Sequence, residues 1–275
     1  MDFKKTILTA ATAVALSGAA NADIVNVGGV TWDTDAVSDF FSEASLTEMQ
    51  VQVTGDSLSG FGLISSLNSL TGPNASSFCP SCELTFEFKN YTLVDTNPLD
   101  SEFYFTGGVL SMYVDSTPDY TLTNAPDGGL STATNGTLWL ELASVSYFEP
   151  TYGETGTLFG SLTAGSISSP EADERGSGDG FFEVTGGLAA DYFDTDTFTD
   201  IQQADGSTVT ADFSFSSSFQ PSDAFANFGV GLALRGTGEL RGDSVTVPEP
   251  SSLALLGLGA LVAGAGMRRR KQKAA

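Results

Sequence analysis

Apolar and polar residues alternate with period two through the middle of the chain, the spacing of strands with one covered face. In ELTFEFKNYTLV, Leu84, Phe86 and Phe88 fall on one face and Thr85, Glu87 and Lys89 on the other. TLWLELASV sets Leu138, Leu140 and Leu142 against Trp139, Glu141 and Ala143. Trp139 is therefore either exposed or turned toward a second layer. GGVLSMYVD, GTLFGSLTA, GDGFFEVTG, ADFSFSSSF and FGVGLALRG are further candidates, with TGDS, TGPN, DTNPLD, APDGG, ADGS and QPSD as turns between them. About eight to ten short antiparallel strands at such spacing predict an all-β fold, a single β-sandwich or jelly-roll-like domain.

Two segments break the pattern. DAVSDFFSEAS places Val37, Phe40, Phe41 and Ala44 at helical spacing, which leaves helix and strand both open there. SPEADERGSGDG, from Ser169 to Gly180, is rich in small and charged residues and reads as a flexible internal loop. Halves divided there would each be short for an independent sandwich, so residues 23–245 are predicted to form one domain.

Both ends of the chain are addresses. Lys4 and Lys5 precede a short apolar stretch from Ile7 to Leu16, and Ala20-Asn21-Ala22 fits a small-x-small cleavage site. Residues 1–22 are thus predicted to be a signal peptide, with the mature chain starting near Asp23. At the other end, Leu253 to Met267 is apolar or small throughout. As a helix those residues reach ~22 Å, short of a ~30 Å hydrocarbon core. Flanking serines and snorkelling arginines extend the span to about residues 252–268. The basic run Arg268, Arg269, Arg270 and Lys271 would remain on the cytoplasmic side as a stop-transfer signal.

Val247-Pro248-Glu249-Pro250, the Gly-rich apolar segment and the terminal Arg cluster, in that order over residues 246–275, resemble the PEP-CTERM sorting signal of Gram-negative bacteria. The resemblance implies recognition by a membrane-embedded exosortase and processing near the Pro-Glu-Pro. It also implies export, often in bacteria that make exopolysaccharide or form biofilms, with transient anchoring in the inner membrane before delivery to the cell surface or extracellular matrix.

Charge sharpens the picture of the body between these addresses. Residues 23–248 hold four basic residues, Lys89, Arg175, Arg235 and Arg241, against 32 acidic ones, a net charge of -28. Such a surface repels phosphate backbones and argues against nucleic-acid partners. Apolar residues make up 41% of the chain, enough for a core.

Candidate chemistry is sparse. The chain has no His, which removes Ser-His-Asp and Cys-His catalysis and the commonest metal ligand. Lys89 is the one candidate in the body for a lysine nucleophile, and no carboxylate pair stands out among so many. Cys79 and Cys82, the two cysteines, suggest a disulfide-closed turn in an exported chain. A redox C-x-x-C needs a thioredoxin-like context that the pattern lacks; free thiols or shared metal ligation are the remaining alternatives. Asp191, Asp194, Asp196 and Asp200 in DYFDTDTFTD offer hard oxygens to a Ca²⁺ ion. They lack the glycine and glutamate of an EF-hand loop, and solvated acidic loops are the plain alternative. Asp33 with Asp35, and Asp115 with Asp119, are weaker echoes. Trp32 and Trp139 are candidates for stacking on sugar rings, against ordinary core packing.

The expectation is an exported, non-enzymatic surface or matrix protein with exosortase as partner, and with exopolysaccharide as a further candidate partner. No cofactor beyond a candidate Ca²⁺ is expected. The rivals are a carbohydrate-binding module and, behind it, a secreted carboxylate-dependent glycoside hydrolase.

Overall fold

A computed structural model describes residues 24–34, 40–49, 51, 53–68, 78–95, 101–122, 127–163, 174–222 and 232–246. Among these, the chain begins with β1 (Ile24–Val27), β2 (Val30–Asp33), β3 (Phe40–Met49), β4 (Ser57–Leu67), β5 (Glu83–Asp95) and β6 (Glu102–Asp115). A short helix α1 (Leu130–Ala133) leads to β7 (Thr137–Ser144), β8 (Tyr147–Glu149), β9 (Glu154–Gly156), β10 (Leu158–Leu162) and β11 (Gly176–Gly186). A second short helix α2 (Ala190–Phe193) precedes β12 (Phe198–Gln202), β13 (Thr208–Ala211), β14 (Phe213–Pro221) and β15 (Leu232–Gly242). The predicted signal peptide 1–22, the sorting motif Val247 to Pro250, the span 252–268 and the basic residues Arg268 to Lys271 lie outside the described residues. No described helix is long and apolar enough to cross a membrane. The chain divides into two compact units, residues 1–245 and 246–275.

Nine strands form one antiparallel sheet in the order β10-β11-β14-β15-β3-β4-β5-β6-β7, with further pairings of β10 to β6 and β11 to β7. Those two pairings close the sheet on itself. One place in the ring is filled by two short strands in tandem. β10 pairs with residues 102–105 of β6 and 176–180 of β11. β7 pairs further along, with residues 109–114 of β6 and with β11 between Phe182 and Gly186. The antiparallel all-β domain is the one the alternation predicts, and its two walls belong to a single barrel-like sheet.

Alternation decides which side chains enter this barrel. Ala44, Leu46 and Glu48 of β3 line the interior, as do Phe86 and Phe88 of β5 and Leu234, Gly238 and Leu240 of β15. In β5 the phase shifts at Asn90, whose φ of 65° puts it in the left-handed region, so that Tyr91 joins Phe86 and Phe88 inside. Gly107 and Gly108 of β6 lie beside this irregularity, with positive φ of their own, and a Cβ on Gly108 would stand 2.2 Å from the Tyr91 ring. Paired irregularities of this kind bend neighbouring strands together, which a closing sheet requires. Elsewhere an inward ring lies across a glycine of the next strand. A Cβ on Gly160 would fall 2.3 Å from Phe103, and one on Gly176 would fall 2.1 Å from Phe219.

Three outer layers cover the barrel wall. Where β4 and β6 end and β7 begins, the β1–β2 hairpin and α2 pack an aromatic cluster. Trp32 stacks on Phe193 at 5.0 Å between ring centroids and meets Trp139 edge-on at 5.7 Å. Both indole N–H groups are satisfied, Trp32 donating to Ser244 Oγ and Trp139 to the Val27 carbonyl. Burying a ring of this size contributes roughly 4–6 kcal/mol from area alone. The β8–β9 and β12–β13 hairpins cover Phe159 and Phe181 of the outer wall, with Tyr147 and Ile201 among the covering residues. Helix α1 lies over Phe61 of β4, and Thr85 Oγ1 of β5 donates to its Ala133 carbonyl.

One open reading of local pattern is resolved and another is corrected. The DAVSDFFSEAS segment is strand from Phe40 onward, because β3 is paired on both sides, to β15 and to β4; residues 35–39 lie outside the described residues. The second half of SPEADERGSGDG is the start of β11, which β10 and β14 flank from Gly176 to Gly180. Its residues 169–173 lie outside the described residues.

Candidate functional site

The barrel interior is the most developed site on the described residues. It encloses a cavity of about 80 Å³, and its lining draws on all eight places of the ring. Leu46, Phe86, Phe103, Met112, Phe182 and Leu240 supply most of the bulk of the wall. Gly178 keeps the wall thin on β11: the first atom a Cβ there would meet is Ser217 Oγ, a small side chain that can turn away.

One acidic side chain interrupts this apolar lining. Glu48 is only 7% exposed and makes no hydrogen bond or ion pair with any described residue. Burial alone pushes its carboxyl up from 4.5 to about 8, so it is mostly protonated at neutral pH. The other titratable groups of the lining are already engaged. Tyr91 shares a 2.7 Å hydrogen bond with Ser144 Oγ, and burial raises its phenol well above the ordinary range. Glu239 accepts a 3.0 Å hydrogen bond from Arg241 Nη2. Sequence reasoning missed Glu48. Its only signal was its place two residues after Leu46 and four after Ala44, on the apolar face of a strand.

The four aspartates proposed for Ca²⁺ do not form one group. Asp191 sits exposed on α2, and Asp194 and Asp200 are exposed beyond it. Asp196 alone of the four joins a carboxylate cluster, with Glu183 and Asp212. The centre of that cluster is Asp212, fully buried, which sequence reading did not single out. Its Oδ1 accepts the backbone N–H groups of Thr195 at 2.7 Å and Asp196 at 2.8 Å, and its Oδ2 accepts that of Val184 at 2.8 Å. It thus ties the α2–β12 connection to β11. Desolvation, then repulsion from Asp212, Asp196 and Asp194, raises Glu183 to about 7. Asp115 and Asp119 gather with Glu83 in a second cluster, whose Glu83 accepts the backbone N–H groups of Asp119 and Tyr120.

The remaining candidates take structural places. Cys79 and Cys82 are bonded to each other, and the bridge packs beside the β1–β2 turn, where a Cβ on Gly29 would lie 3.4 Å from Cys82 Sγ. Trp32 and Trp139 are 2% and 0% exposed, turned into the outer layer and out of reach of a sugar ring. Lys89 is paired with Glu87, and that hydrogen bond raises its ammonium above 10.5, the wrong direction for a nucleophile.

Residues 246–271 match the PEP-CTERM protein-sorting motif. No curated protein and no solved structure matches the chain. The motif marks an exported, exosortase-targeted chain of a Gram-negative bacterium, bound for the surface or the exterior.

Proposed function

We propose that this chain is a non-enzymatic protein of the cell surface or extracellular matrix, a β-barrel body delivered by its C-terminal sorting signal. The observation that carries the reading is the sorting motif at residues 246–271, beginning four residues after the last barrel strand ends at Gly242. The signal peptide 1–22 starts export. The apolar span 252–268 then halts the chain, with Arg268 to Lys271 held inside by the positive-inside bias. Exosortase acts near Pro248-Glu249-Pro250 and frees the body. A body of net charge -28 stays soluble and repels its own copies once released. Two features support a role other than catalysis: the chain has no His, and its one body lysine is held in an ion pair.

The test is made in the native host. Mass spectrometry of the surface or matrix fraction should find termini near Asp23 and between Pro248 and Ser251. Replacing Pro248, Glu249 and Pro250 with alanine should leave a longer form in the inner membrane. A surface-exposed form that keeps Arg268 to Ala275 would overturn the processing step. Recovery of the processed body only from the periplasm would overturn the surface role.

A further inference from the structure

We propose that the barrel interior binds a small, uncharged, hydroxyl-bearing amphiphile, its apolar body held by the lining side chains and its hydroxyl hydrogen-bonded to Glu48. The inference goes beyond the sorting reading and does not depend on it.

Size sets the first limit. A water molecule needs about 10–15 Å³ of such space, so a cavity of about 80 Å³ has room for roughly five to eight water-sized groups. That suits a short alkyl or single-ring compound without repacking of the barrel. The lining sets the second limit. Water is a poor occupant of a space walled by Leu46, Phe86, Phe103 and Leu240, which offers it few of the two to four polar partners it requires. An apolar body fits there without that cost.

Glu48 supplies the polar end. Buried polar side chains are nearly always hydrogen-bonded, and this one has no partner among the described residues although it lines the cavity. Its raised carboxyl is consistent with a site that favours a neutral partner. An amine would place two charges in an apolar enclosure, where desolvation offsets most of their attraction. A carboxylate would meet a body of net charge -28 as well as Glu48 itself. A hydroxyl both donates and accepts, which matches a protonated carboxyl on both counts.

The experiment titrates 1-hexanol into the protein as the native host exports it, read by calorimetry and by methyl-detected NMR. Saturable one-site binding is expected, with shifts at Ala44, Leu46, Ile64, Leu234 and Leu240. On the same protein, 1-chlorohexane, which lacks the hydroxyl, should bind about tenfold more weakly, the loss of one hydrogen bond. Glu48→Leu should weaken 1-hexanol by a similar factor, while Glu48→Gln should hold it within about threefold. Absence of saturation, or shifts confined to residues outside the lining, would overturn the site. Equal binding of 1-chlorohexane and 1-hexanol would remove the role of Glu48, even if neither variant folds. Tighter binding of hexylamine or hexanoate than of 1-hexanol would overturn the uncharged head group.

Discussion

Replacing Glu48 with glutamine should change how stability depends on pH, by an amount the burial of this one carboxyl sets. In the folded chain Glu48 keeps its proton up to about pH 8, whereas the ordinary value is 4.5. Between those values the folded state binds more protons than the unfolded state, so raising the pH favours unfolding. The contribution of the neutral carboxyl is fully present below about pH 4.5 and is lost as pH rises through about 8. At 1.36 kcal/mol per unit, the cost is ~1 kcal/mol at pH 5, ~3 kcal/mol at pH 7 and approaches ~5 kcal/mol above pH 9. Many other carboxylates titrate over this range, so the measured quantity is the difference between Glu48→Gln and the parent chain. Urea unfolding at pH 5, 7 and 9 supplies it. The variant should gain ~2–3 kcal/mol on the parent between pH 5 and 7, and ~1–2 kcal/mol more by pH 9. The other titratable groups of the lining, Tyr91 and Glu239, ionise to anions, so the lining supplies no cation to offset a charged Glu48. A difference between the two proteins that does not vary with pH would refute the reasoning.

Asp212→Asn should destabilise the chain by ~2–3 kcal/mol, because an amide donor replaces one of the acceptors that hold three backbone N–H groups. In the same variant Glu183, raised to about 7 in the parent, should titrate closer to 4.5 by carboxyl NMR; an unmoved Glu183 would count against the coupling. Asp191, Asp194 and Asp200 replaced together by asparagine should leave unchanged any rise in Tm that Ca²⁺ gives over Na⁺ at equal ionic strength, since these three share no cluster. Loss of a calcium-specific rise in that variant would restore the loop as a cation site.

Alternation made β5, β6, β7 and β14 legible because each carries a run of apolar residues at alternate positions facing the interior, interrupted in β5 and β6 by the phase shift at Asn90 and Gly107-Gly108. It failed where the interior is filled from elsewhere. Gly176 and Gly178 carry no side chain, so the start of β11 reads as a loop, yet a neighbouring Phe219 ring occupies the space over Gly176. Phe40 and Phe41 are adjacent and suit a helix or a strand equally; pairing with β15 and β4, remote in the case of β15, decides between them. Closure of the sheet is a matter of which distant strands meet, and local pattern does not carry that information. For Trp139, local pattern does not choose between exposure and a second layer, because the β1–β2 hairpin and α2 that cover it are placed by tertiary contacts. At the level of the site, one glutamate among so many acidic residues gives no signal of its own. Glu48 becomes distinctive only once Ala44 and Leu46 are known to face a cavity.

The pairing of β3 with β15 has a consequence in time. Met49 is opposite Leu232 and Phe40 opposite Gly242, so the first barrel strand waits for the last. A chain that crosses a membrane N-terminus first delivers β3 early and β15 at the end, immediately ahead of the residues that match the sorting motif. Until then β3 and β14 each carry an unpaired edge, the kind of surface that recruits other chains. Joins between such distant segments are also slow to form. On the proposed route, an apolar segment halting translocation just after β15 would hold the chain in place while the ring is completed. Release by exosortase after that step would free a barrel whose vulnerable edges are already gone.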